Sequence, residues 1–242
     1  MQKFAQDVEL LIQTVNDNEI WAVLAYMEGP EFSKDQQLPK AVTFGKSKVR
    51  LGMFSHFKAA LVQTGMGANC EKKLLDALND LPNVKGILAL GIAWGRTGNL
   101  ADVFIATKIV GWNEEKWDNG KYIARGRFYG DISEKFLDVF ADLPEQWRSF
   151  ERAEGIKSIA KKALIISTAK LINDEKMRDL VTDQEPEAKG GEMEGHVLVQ
   201  KIQKEKPGLQ IAVIKGISDF ADGNKHDQWQ LTAAMEAVHY AK

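Results

Sequence analysis

A single cysteine, Cys70, in 242 residues excludes an intrachain disulfide. One free thiol suits a reducing compartment. The four histidines fall in no HExxH pattern and have no paired cysteines beside them, so the sequence implies neither a metal nor an organic cofactor. A basic excess is also missing: 32 Lys and Arg face 34 Asp and Glu, for a formal charge of −2. That balance argues against nonspecific nucleic-acid binding. The longest nearly apolar run, residues 87–94, is far shorter than the roughly 20 residues that span a bilayer. The N-terminal MQKFAQDVELL mixes charge into its first residues and leads to no small-residue cleavage site, so it is not expected to be a secretory signal. These absences predict a cytoplasmic protein with no membrane and no nucleic-acid partner. With 44% hydrophobic residues, the chain can bury a substantial core without staples.

Phe4, Val8, Leu11 and Val15 recur at helical spacing, which predicts an amphipathic helix over 2–15 and a helical N-terminal extension over 1–18. Asn16-Asp17-Asn18 stops it, and 20–25 then reads as the first strand. Residues 41–64 read as two or three strands closing on Thr64-Gly65-Met66-Gly67. Leu74, Leu75, Leu78 and Leu81 mark a helix halted by Pro82. A buried strand at 87–90 feeds a turn, Gly91-Ile92-Ala93-Trp94-Gly95. Further strands are predicted at 102–110, 164–167 and 209–217, and further helices at 133–140, 174–181, 195–204 and around Leu231 to Val238. Residues 113–130 read as loop. Strands alternating with helices predict one α/β domain over 19–242, a three-layer α/β/α fold with a mostly parallel, mixed central sheet.

In such sheets, ligands sit beyond the carboxyl ends of the strands. Four segments fall there. They are Thr64-Gly65-Met66-Gly67, the Gly91–Gly95 turn, Gly190-Gly191-Glu192-Met193-Glu194-Gly195, and Lys215-Gly216-Ile217-Ser218-Asp219-Phe220-Ala221-Asp222-Gly223. Taken singly, each has a bland reading. A glycine pair is usually a turn, a Glu at a helix start complements the dipole, and an Asp after a strand can cap the next turn.

Their order and wording resemble the purine and uridine phosphorylase superfamily, which includes methylthioadenosine/S-adenosylhomocysteine nucleosidases. The resemblance covers residues 20–241, and its specific part is Glu192-Met193-Glu194 followed by Ile217-Ser218-Asp219. GIAWG, GGEMEG and KGISDFADGNK look closest to an effector-type subgroup of immune and signalling proteins that cleaves adenine nucleotides, ATP among them. The resemblance implies cleavage of the N-glycosidic bond of a purine nucleoside or nucleotide. Asp219 would share a proton with N7 of the leaving base, held protonated by burial at its strand end. Glu194 would accept the ribose hydroxyls near the developing cation. Met193 would pack on the sugar, Glu192 would serve structure or touch the ribose edge, and Leu171 and Ile172 would flank the base. Gly65, Gly67, Gly91, Ile92, Ala93, Trp94 and Ser218 would complete the substrate site.

The resembling phosphorylases hold phosphate with an arginine two residues before the glycine of a Gly-Ser-type turn. Here Ala89 stands at that place, and Ile92 replaces the hydroxyl. Backbone glycines without a guanidinium bind a dianion poorly, so hydrolysis is favoured over phosphorolysis. Related nucleosidases carry a water-activating Glu shortly after the first strand. Glu28 or Glu31 fills that role on this reading, with Glu28 preferred. Arg96, Lys170, Lys215, Lys225 and His196 are the candidates near the 5′ end. Three other readings remain: a phosphate-dependent purine nucleoside phosphorylase, a methylthioadenosine/S-adenosylhomocysteine nucleosidase, and a non-catalytic nucleoside-sensing module of a larger signalling protein. A homodimer or higher homo-oligomer is expected from the resemblance.

Overall fold

The computed structural model describes residues 2–29, 39–66, 68–118, 121–133, 138, 149–151, 155, 157–224 and 226–242. A short helix, α1 (Gln2–Gln6), leads into strand β1 (Leu10–Thr14) and helix α2 (Asp17–Leu24). Strands β2 (Ala41–Phe44), β3 (Ser47–Phe54) and β4 (Phe57–Gln63) follow, then helix α3 (Ala68–Asp80) and β5 (Gly86–Gly95). Next come β6 (Val103–Asp118), β7 (Lys121–Asp131), β8 (Ser149–Glu151) and β9 (Lys157–Thr168). Helix α4 (Glu175–Gln184), β10 (Ala188–Glu192), the helical segment 195–205 (α5), β11 (Gln210–Asp219) and α6 (Asp227–Ala241) complete the described elements. The middle of α5, Leu198–Ile202, is π-helical.

The predicted N-terminus is corrected here. Residues 10–14 are a strand lying between β4 and β5, parallel to both. All five side chains are buried, and a strand covered on both faces gives a continuous apolar run, not an alternation. The spacing of Phe4, Val8, Leu11 and Val15 therefore mimics a helix across what is half strand. The stretch predicted as an extension therefore supplies a strand of the sheet, residues 10–14. The predicted strand at 20–25 is helix α2, started by a capping box in which Asn16 Oδ1 accepts from Glu19 N and Glu19 reaches back to the Asn16 amide. That reciprocal pair satisfies amides that the first turn leaves orphaned.

The strand order is β10-β9-β6-β11-β5-β1-β4-β3-β2. β4, β1, β5 and β11 run parallel through its middle. β10 pairs with β9 at one end and also, antiparallel, with β5, so β5-β11-β6-β9-β10 closes on itself. The core divides over the two faces. α3 and α5 cover one, with Leu74, Leu78, Val197 and Ile202; α2 and α6 cover the other, with Ala22, Val23, Ala234 and Val238. Each such apolar side chain, once fully buried, stabilises the fold by roughly 1.5–3 kcal/mol.

Two other expectations change. The 113–130 stretch is not a loop; β6 and β7 form an antiparallel ladder from Lys108↔Asp131 to Asp118↔Lys121. Asn119-Gly120 in the sequence is the hairpin signal that could have revealed it. GIAWG is no turn but the end of β5, stretched by pairing on both sides. The helix predicted at 133–140 lies almost entirely outside the described residues.

α6 packs so closely on β11 that a Cβ at Gly216 would lie 1.9 Å from the Ala233 carbonyl oxygen. Gly216→Ala is expected to cost about 1–3 kcal/mol or more, the usual scale of overpacking. Denaturant unfolding checks it, and an unchanged midpoint would show that α6 shifts freely.

Candidate active site

Trp94, near the end of β5, is where the strands converge. Asp219 of β11 pairs with it on one side and Gly191 of β10 on the other. The glycines of β10 are there for close approach. A Cβ at Gly191 would meet the Trp94 indole at 2.5 Å, and one at Gly190 the Trp94 carbonyl oxygen at 2.2 Å. The indole therefore lies against bare backbone, buried with Trp112, Ile166 and Ile172.

Helix α2 brings a carboxylate over the same strand. Glu19 is buried, and its Oε1 accepts from the Ile92 amide at 3.0 Å. Its Oε2 accepts from the amides of Val15 and Asn16. A Cβ at Gly91 would stand 2.1 Å from Glu19 Oε1. Gly91 thus makes room for Glu19, which is a different task from cradling a substrate.

β10 ends at Glu192, whose carboxylate accepts from the amides of Glu194 (3.0 Å) and Gly195 (2.9 Å). It pins the turn that aims Glu194 inward. Glu194 is buried, and its Oε1 has no hydrogen-bond partner among the described residues. Burial pushes its carboxyl up to about 8, against the pull of Lys215 and with the push of Glu192 and Glu19. Behind these acids lies Lys215 of β11, fully buried, with Nζ 3.8 Å from Glu192 Oε2 and 4.0 Å from Glu194 Oε2.

Asp219 is half-buried, less enclosed than its strand-end position suggested. Its Oδ2 accepts from the Ser218 hydroxyl at 2.9 Å and its Oδ1 from the Ala221 amide at 3.0 Å. Those two bonds fix the carboxyl toward a cavity of about 290 Å³. Glu19, Glu192, Glu194 and Asp219 line this cavity with Gly191, as do the predicted Ile92, Ala93, Trp94, Leu171, Ile172, Met193 and Ser218. Leu171, 65% exposed, forms part of the rim, while Ile172 is buried. The volume is near the lower end for small-ligand sites. One apolar wall and several inward carboxylates suit a flat base attached to a polyhydroxylated ring.

Several predicted residues lie elsewhere. Glu28 is exposed, pairs its backbone with Met53 and does not line the cavity. The mislocated first strand explains this: counted from β1, the acid that follows shortly is Glu19, and the Asn16–Glu19 capping signature was its mark in the sequence. Glu31, Gly67 and Lys225 lie outside the described residues. Arg96 is exposed and donates from Nη1 to the Pro186 carbonyl, turned away from the cavity. Gly65 has φ +72° and shapes the loop; its neighbour Met66 reaches the mouth instead. His196 is buried beside Ser167, with Nδ1 3.0 Å from its hydroxyl. Asn16, His226, Asp227 and Gln230 were not anticipated; they line the cavity because the first turns of α2 and α6 meet there, with Asn18 bonded to Gln230.

No family model matches the chain. Among curated proteins it is similar to a death domain-containing ATP nucleosidase of Amphimedon queenslandica, 23% identical over 96% of this chain and 47% of that protein. The chain therefore spans about half the length of that relative. Among solved structures it is similar to futalosine hydrolase of Helicobacter pylori strain 26695 (TM-score 0.73, 16% identity, 97% of this chain and 96% of that one). It is also similar to the 5′-methylthioadenosine/S-adenosylhomocysteine nucleosidase of S. pneumoniae with a transition-state inhibitor (TM-score 0.74, 16% identity, the same coverages). The chain shares the fold of these two nucleosidases, a mixed α/β fold with a mostly parallel central sheet flanked by helices.

Proposed function

We propose that this chain hydrolyses the N-glycosidic bond of an adenine nucleoside or nucleotide, releasing the base and ribose or a ribose phosphate. The observation that carries it is the Ile92 amide, which donates to the Glu19 carboxylate at the end of β5. A phosphorylase must hold a phosphate dianion at this strand end. Here the amide is taken and a negative charge occupies the place, which would repel a second anion. Water is the nucleophile that fits, and Glu19 is the acceptor for its proton. Asp219 shares a proton with N7, so that adenine leaves neutral. Glu194 receives the ribose hydroxyls and faces the oxocarbenium-like carbon. Asn16, His226, Asp227 and Gln230 add polar groups to the cavity wall, which suit the hydroxyls of a nucleoside. The relative's name makes ATP the first nucleotide to test, and the resemblance of GIAWG and GGEMEG to effector-type proteins extends the reading to immune signalling.

The test is incubation with adenosine, methylthioadenosine, AMP and ATP, with and without phosphate, with products identified by mass. Base release in phosphate-free buffer is expected. Ribose 1-phosphate, with turnover that vanishes without phosphate, would overturn the hydrolytic reading.

The role of Glu194 has its own check. Glu194→Gln should slow the ribo substrate more than its 2′-deoxy counterpart, because the latter already lacks part of the interaction. Their coupling is expected at about 1–3 kcal/mol. Equal losses on ribo and 2′,3′-dideoxy substrates would remove Glu194 from the sugar.

A further inference from the structure

Lys215 is the one charged residue in the buried run Ile211–Ser218 of β11, and nothing in the chemistry above uses it. On a strand, neighbouring side chains point to opposite faces. Gly216 faces α6, and Lys215 faces the acids. Its ammonium has no hydrogen-bond partner among the described residues, and acids approach it from separate elements. Glu192 and Glu194 come from the end of β10 and the turn after it, at 3.8 and 4.0 Å. Glu19, from α2, lines the same cavity as these two acids and adds its charge to theirs. Cys70, from α3, adds no charge, because burial pushes its thiol up to about 12. His196, beside Glu192, is held below the ordinary histidine range by burial. A lysine placed only to fill this interior would be a poor choice, since apolar residues of similar volume replace buried ion pairs without loss or with gain.

We propose that Lys215 is a positioning residue that sets the charge of the three-glutamate cluster, its ammonium being the counter-charge that lets Glu194 meet the ribose as a carboxylate. This rests on the hydrolase reading. Three buried carboxylates without a cation cannot all ionise, and like charges push the last proton onto one of them. Burial opposes the charge of Lys215, yet Glu19, Glu192 and Glu194 together hold it above the usual lysine range, so the ammonium persists. Glu194 nonetheless stays raised to about 8. At neutral pH the free site therefore carries a proton on the acid that faces the sugar, and ionising it is the step Lys215 eases.

The experiment compares the pH dependence of kcat/KM for adenosine and ATP in the wild type, Lys215→Met and the double variant Lys215→Met/Glu192→Gln. Wild-type activity should rise along a limb near pH 8. In Lys215→Met that limb should move up by at least one pH unit, with at least a ten-fold loss at pH 7. The double variant removes one carboxylate with the ammonium, so its limb should move back toward the wild type. An unmoved limb in Lys215→Met, or a double variant no better than the single one, overturns the proposal. If Lys215→Met does not fold, the double variant carries the test, and its limb must lie within about one unit of the wild type. A wild-type profile that is flat from pH 6 to 9 also overturns it.

Melting temperatures separate this from failure of the hydrolase reading. A carboxyl raised in the folded state above its ordinary 4.5 gives stability that is full below that value and lost as pH rises through the folded value. Without Lys215 the folded values rise further, so the deficit of Lys215→Met should widen from pH 5 to pH 9. A deficit independent of pH would mark a packing role and overturn the proposal, even where no substrate is turned over.

Discussion

Asp219→Asn is expected to lower adenine release by about 10²–10⁴-fold, the scale of general-acid catalysis, and to leave the fold intact. The carboxyl is held by two local bonds, from the Ser218 hydroxyl and the Ala221 amide. An Asn carbonyl oxygen can keep one of them, and the half-buried position tolerates rearrangement of the other. What the amide cannot do is share a proton with N7, so adenine would have to leave as an anion. Purines that are better leaving groups should therefore suffer less. Steady-state kinetics with adenosine and electron-poor purine ribosides measure both effects, with circular dichroism as the check on folding. Turnover of adenosine near the wild-type rate would remove Asp219 from the mechanism.

Glu19→Gln should produce a loss of similar size, about 10²–10⁴-fold, through the nucleophile rather than the leaving group. Its carboxylate is the one that the Ile92 amide and two amides of the α2 start hold in a fixed direction at the cavity wall. Glutamine keeps the shape and one acceptor oxygen, so the helix start should survive while the base is lost. Glu28→Gln is the matched control: its side chain is exposed and lines no part of the cavity, and activity should stay near the wild type. Gly91→Ala should reproduce much of the Glu19→Gln defect without touching the acid, because its Cβ would need the space of Glu19 Oε1. The reverse pattern, with Glu28→Gln crippled and Glu19→Gln active, would return the base to the position that the family resemblance implied.

That contrast shows where the sequence was legible. Glu192, Glu194 and Asp219 could be named because their neighbours are short, ordered and specific in wording, and they lie at strand ends where an α/β sheet presents ligands. Glu19 could not, because the signal around it was read with the wrong period. A strand buried on both faces has no alternation to announce it. Residues 10–14 therefore joined the helical spacing of Phe4 and Val8, and every distance counted from the first strand was displaced.

The sequence by itself determined the α/β class, the parallel strands β5 and β11, the helices from α3 onward that the structure describes, and the order of the strand-end motifs that carry Glu194 and Asp219. Local chemistry suffices for these: periodicity for elements, and residue order for strand-end motifs. Only the tertiary structure decided that GIAWG is a paired strand end, that its glycines serve Glu19 and Ile217 instead of a phosphate, and that Lys215 stands behind three glutamates. Those facts depend on the closure of β10 onto β5 and on α2 crossing the end of β5. They are contacts between residues 73 to 97 positions apart, made by packing and backbone pairing, and no window of sequence records which amide will meet which carboxylate.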